Sequence, residues 1–174
     1  MILNDEQKWE YLRTIPGTDA EHAEIKDLAQ HLRAAANFQP KRLAQLIMTV
    51  ARDWIKQTND VALRGGEDIA GLTRQPTGDD AIDALRRGDD DCDAKARLFV
   101  ALCLAAGLVA RMVGRWKVYP VTERTPKGRT LIHVSAEVFV ADKWQPVELT
   151  LSRARIGEMG EVVPKEKDGK WLLS

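Results

Sequence analysis

The 174-residue chain is long enough for one domain with a full hydrophobic core and short for two. Lys plus Arg and Asp plus Glu both number 26, so no global field draws the molecule to nucleic acid or to an anionic membrane, and any partner has to be recognised at a local site. Hydrophobic residues make up 44% and charged residues 30%; no apolar run approaches the roughly 20 residues of a membrane helix, and the opening MILNDEQKWEYLR lacks the basic start and apolar stretch of a secretory signal, so a cytoplasmic location without membrane contact is expected.

The first fifteen residues read as a short helix or arm docking Trp9, Tyr11 and Leu12, ended by Pro16-Gly17. Thr18 or Asp19 is placed to cap a second helix, in which Ile25, Leu28, Ala29, Leu32 and Ala36 recur at helical spacing. His22 and His31, nine positions apart, fall on opposite sides of it and read as surface or boundary residues. Pro40 opens a third helix with an apolar stripe of Leu43, Leu46, Ile47, Val50, Trp54 and Ile55, all assigned to the core. Thr58 to Gly78, with Gly65-Gly66, Gly71 and Pro76, reads as a loop, after which Asp79 or Asp80 caps a short helix, AIDALRRG, that stops at Gly88.

The segment GDDDCDAKARLFVALCLAAGLVAR is the most informative. Ala94, Leu98, Ala101, Leu102, Ala105 and Ala106 repeat at helical spacing and Gly107 supplies the stop, so Cys92 opens a buried, alanine-rich helix. Ala110 to Tyr119 has strand composition, and Pro120 to Arg129 reads as a charged turn. Leu131 to Val140 alternates, with Val134, Ala136, Val138 and Val140 on one face and His133, Ser135, Glu137 and Phe139 on the other. A turn at Asp142-Lys143 leads into a third strand, WQPVELT, and the tail after Ser152 carries a last turn or strand around Lys170 to Leu173. The division expected is one domain: N-terminal helices over 1–57, a loop over 58–78, a catalytic core over 79–152 and a tail over 153–174.

The two cysteines, Cys92 and Cys103, lie eleven residues apart on one helix, about 16 Å along its axis, whereas a disulfide needs Cα atoms within about 7 Å. They neither pair nor share a metal, and His22, His31 and His133 have no second ligand at zinc spacing. Cys92 sits where unpaired amides and the helix dipole favour a thiolate and could stabilise an oxyanion. Asp89, Asp90, Asp91 and Asp93 oppose that anion, so a protonated imidazole is required, and His133 can supply it. Glu148, expected alongside on the next strand of the hairpin, would fix the imidazole tautomer.

These three segments together resemble the transglutaminase-like superfamily, which groups with the papain-like cysteine peptidases. Its nucleophile segment G-x-C-x-x-x-A, followed by an apolar helix and a G-I-P-A-R-like turn, is matched by GDDDCDAKARLFVALCLAAGLVAR; its H-A-W-V-E-V-Y by HVSAEVF; its W-x-x-V-D-x-T by WQPVELT. The resemblance implies an α+β fold, with N-terminal helices and the nucleophile on a central helix packed against an antiparallel sheet. It also implies Cys92 as nucleophile, His133 as base and Glu148 as orienting carboxylate. The chain departs from the pattern at Glu148, where the family has aspartate, at Val109, where it has proline, and at Ser135, where it has an aromatic residue. Gln75 is weighed as a second oxyanion donor and not assigned. The activity implied is cofactor-free and metal-free acyl transfer on a peptide or protein substrate, ending in hydrolysis or cross-linking. The alternative is an inactive binding or scaffold module of the same fold, for instance within a phage-like assembly.

Overall fold

The structure is a computed structural model that describes residues 16–57, 81–90, 92–119, 129–158 and 171–172. The expectations for Trp9, Tyr11 and Leu12, the 58–78 loop with Gln75, the caps at Asp79 and Asp80, Asp91, and the turn at 120–128 lie outside these residues.

Residues 16–20 are helical across the Pro16-Gly17 pair expected to break the chain. Neither Thr18 nor Asp19 caps the next helix. Asp19 is turned to Arg97, its Oδ1 accepting from Nη2 at 2.8 Å, and both residues are largely buried. Helix α1 (Ala23–Ala35) is capped instead by His22, whose Nδ1 accepts from the Glu24 amide at 3.3 Å. His22 and His31 are both exposed.

Helix α2 (Pro40–Thr49) has Pro at its first turn and no side-chain cap, and it runs directly into a π-helical turn, Val50–Trp54. That turn overturns one assignment. The α period puts Trp54 in line with Leu43 and Ile47, but Trp54 is the last residue of a turn that winds i→i+5, after which the backbone is extended at Ile55. Ile47, Ala51 and Ile55 are fully buried, and Trp54 is 65% exposed.

Strand β1 (Lys56–Gln57) comes next. Helix α3 (Ala81–Arg87) ends at Gly88, whose φ of +72° suits a residue without a Cβ. The chain then forms β2 (Asp89–Asp90), parallel to β1, with Lys56 opposite Asp89 and the Lys56 amide donating to the Gly88 carbonyl at 2.8 Å.

Helix α4 (Cys92–Ala105) is the centre of the fold. It packs on the sheet and against α1, α2 and α3. Leu98, Phe99, Ala101, Leu102 and Cys103 are fully buried, so the helix is apolar nearly all round, as its alanine-rich sequence implied. It ends in a Schellman turn: the Leu108 amide donates to the Cys103 carbonyl at 2.8 Å, the Gly107 amide to that of Leu104 at 3.0 Å, and Gly107 has φ +81°.

The sheet has the order β5-β4-β3-β6, from β3 (Val109–Tyr119), β4 (Arg129–Val140), β5 (Lys143–Val147) and β6 (Trp171–Leu172), all antiparallel neighbours. Val134, Ala136, Val138 and Val140 join the core with Met112, the face expected from alternation. On the other face Ser135 and Glu137 are buried and Phe139 is exposed. Arg111 stands opposite Glu137 in the register, its guanidinium donating to the carboxylate at 2.8 and 3.0 Å and lying 3.9 Å over the Trp144 ring. The β4–β5 turn falls at Ala141-Asp142, one residue before the expected place. Both residues have positive φ, the requirement of a two-residue hairpin whose twist matches its strands. The architecture is α+β, with the N-terminal helices and α4 on an antiparallel sheet, as the sequence implied.

Candidate active site at the head of the central helix

The approach to Cys92 is built by three short constraints. Gly88 turns the chain, β2 clamps it to β1, and α4 begins two residues after Asp90. Cys92 is half-buried and packs against the edge of the core, while most of the helix behind it is enclosed, and it stands in the first turn, where helix amides have no intrahelical partner.

Glu148 corrects one expectation. The sequence reads as a third strand through Thr150, with Glu148 on the ladder beside His133, whereas β5 ends at Val147, paired with Ala136. The cause is local. Glu148 Oε1 accepts from the Thr150 amide at 2.9 Å and from the Thr150 hydroxyl at 2.6 Å, and this turn draws the backbone off the ladder. The side chain is 1% exposed, a carboxylate taken out of water and met by directed donors. The backbone of His133 lies in β4 opposite Arg115, at a position with the parity of Ser135 and Glu137. Its side chain lies outside the described part of the structure, so the imidazole stays a sequence expectation, and the Lys95 ammonium links the head of the central helix to the Glu148 segment by donating to the Leu149 carbonyl at 3.5 Å.

Sequence reasoning missed Lys95. One turn after Cys92, it is 2% exposed, and its ammonium donates to the carbonyl of Arg52 in the π turn at 3.1 Å and to that of Leu149 at 3.5 Å. Burial pushes its pKa below the usual lysine range; Asp53 opposes that shift, Arg52 adds to it, and Cys92 and Glu148 oppose it more weakly. Residue type and spacing gave no signal, because Arg97 is a second cation on the same helix and the partners of Lys95 are backbone carbonyls far away in sequence.

Arg52 braces the same region. Its Nη1 donates to the Ala154 carbonyl at 2.6 Å, and Nε and Nη2 hold the Asp53 carboxylate at 2.6 and 2.7 Å. That bidentate bond keeps Asp53 ionised below the usual carboxylate range and raises Arg52 in turn. The chain past Glu148 returns to β5, with the Gly157 amide donating to the Pro146 carbonyl at 2.8 Å. Gly157 has φ +92°, a conformation that strains any residue with a Cβ, so glycine is favoured there.

The other cysteine is placed differently. Cys103 is fully enclosed, and burial pushes its thiol well above the ordinary range. Ser135, at the position where the motif has an aromatic residue, is fully buried, and its hydroxyl has no hydrogen-bond partner among the described residues. The described residues hold no cluster of three or more metal-ligating side chains, and no helix among them is long and apolar enough to cross a membrane.

Residues 41–149 match the family described as the transglutaminase-like superfamily. A crystal structure of a "putative protease" from Parabacteroides distasonis is similar with a TM-score of 0.55 and 18% identity, over 82% of this chain and 26% of that one. A "putative cysteine protease" from Cytophaga hutchinsonii is similar with a TM-score of 0.42 and 16% identity, over 70% of this chain and 37% of that one. A structure described as a TGase gives 0.45 and 16%, over 79% and 35%. The chain thus spans between about a quarter and two fifths of these proteins, and the likeness to the Parabacteroides distasonis structure is one of fold. No curated protein matches the sequence.

Proposed function

The chain belongs to the transglutaminase-like superfamily, and from that premise we propose that it is a cysteine-dependent acyl-transfer enzyme, hydrolysing a peptide or other amide bond through Cys92, His133 and Glu148. The observation that carries the reading is the placement of Cys92: the half-buried first residue of a helix whose middle is enclosed, joined through Lys95 and the Leu149 carbonyl to the segment of a fully buried carboxylate, Glu148. In the reaction proposed, the Cys92 thiolate attacks the amide carbonyl carbon, and the first-turn amides of α4 receive the developing oxyanion. The C–N bond breaks as His133 gives its proton to the leaving amine, which leaves a thioester on Cys92. Water then attacks the thioester and passes a proton to His133, releasing the acid and restoring the thiolate. Glu148 acts through His133, holding its tautomer and stabilising the imidazolium. The substrate is a peptide or protein, and the steps need no cofactor.

The test is iodoacetamide alkylation of the native protein from pH 5.5 to 9, with Cys92→Ala as the control that assigns the signal. The proposal expects reaction well below pH 8. Alkylation that rises only with an ordinary thiol, near pH 8.5, contradicts it and favours an inactive scaffold of the same fold.

A further inference from the structure

Lys95 is the most deeply buried charge of α4 among the described residues, and unlike Arg97, which is paired with Asp19, its hydrogen-bond partners are backbone carbonyls. A leucine or methionine would fill the same inward position without the desolvation cost of a buried ammonium. The charge, rather than the volume, therefore calls for a reason. Three segments converge on it. Its own helix carries Cys92 three positions earlier on the same face, the π turn offers the Arg52 carbonyl at 3.1 Å, and the exit of β5 offers the Leu149 carbonyl at 3.5 Å, next to Glu148. The titratable groups acting on it are Asp53 and Arg52 from the π turn, Cys92 from its own helix and Glu148 beyond β5.

We propose that Lys95 is a positioning residue for the nucleophile: its enclosed ammonium favours the anionic form of Cys92 and ties the Glu148 segment to the head of α4. The inference rests on the thiol-enzyme reading above. Asp93 on the helix start, and Asp53 and Glu148 near Lys95, are carboxylates that disfavour an anion, and a fixed cation behind the thiol would offset them. A guanidinium has the same charge, so Arg should substitute in part, whereas Met keeps the bulk and loses the effect.

The experiment is the pH profile of Cys92 alkylation by iodoacetamide, assigned by peptide mapping, in wild type, Lys95→Met and Lys95→Arg. Removing a cation disfavours the thiolate, so the Lys95→Met profile should move up by about one pH unit, a roughly tenfold slowing at pH 6.5, and Lys95→Arg should recover much of the wild-type rate. A purely structural lysine would lower the melting temperature and leave the profile in place. A folded Lys95→Met protein whose profile superimposes on a low-pH wild-type profile overturns the inference and leaves the enzyme reading standing. An ordinary profile in wild type itself overturns both. If Lys95→Met does not fold, the titration of the Lys95 ε-carbon resonance in wild type and Cys92→Ser decides: a lower titration pH in the serine variant supports the pairing, and identical titrations overturn it.

Discussion

The two ends of the central helix carry the same residue under opposite conditions. Cys92 and Cys103 are eleven residues apart, which at about 100° per residue returns them to nearly the same helix face. Cys103 is enclosed with Phe99, Leu102 and the β4 valines, and its thiol is held neutral by burial. Cys92 stands half-buried at the terminus, with Lys95 behind it, Glu148 beyond β5, and β1 and β2 clamping the approach. Position along the axis, not helix face, separates a packing cysteine from a candidate nucleophile.

The largest effect should come from Cys92→Ala. Turnover of an amide substrate should fall by on the order of 10⁴ or more, while urea unfolding changes by less than about 1 kcal/mol, because a half-buried terminal residue contributes little to the core. At the other end, Phe99→Ala should cost about 3–5 kcal/mol in urea unfolding while leaving the Cys92 alkylation rate of the folded protein unchanged. A slowed Cys92 in that variant would break the separation between the two ends.

Much of this contrast is legible in the sequence. The alanine spacing from Ala94 to Ala106 and the stop at Gly107 define α4, and the alternation from Val134 to Val140 defines its β4 partner. Trp54 departs from its expected place at the end of a turn that winds as π, where it is exposed while the next residue, Ile55, is fully buried. Glu148 leaves the ladder because valine and tryptophan spacing says nothing of the side-chain turn to Thr150 that ends the strand. Lys95 is invisible to spacing because its partners are carbonyls 43 and 54 positions away, and backbone acceptors leave no trace in residue identity.

A smaller effect is expected at Glu148. Cys92 alkylation at pH 6 to 7 should slow several-fold in Glu148→Gln, which keeps the size but loses the charge that stabilises an imidazolium, with the more moderate loss in Glu148→Asp. Equal rates in all three folded proteins, checked by circular dichroism, remove Glu148 from the site and leave Cys92 with His133. The smallest effect belongs to Cys103→Ala, which should cost about 1 kcal/mol of stability and leave both turnover and Cys92 labelling as in wild type.

The central claim is that the start of α4, and not its interior, holds the reactive thiol. Brief alkylation of the native wild-type protein at pH 6.5, followed by peptide mapping, tests it most directly. The account predicts carbamidomethyl Cys92 formed faster than the same adduct on an unstructured thiol peptide, with Cys103 unmodified until the protein is unfolded. Modification of Cys103 alongside Cys92, or a Cys92 no faster than the free peptide, would contradict it.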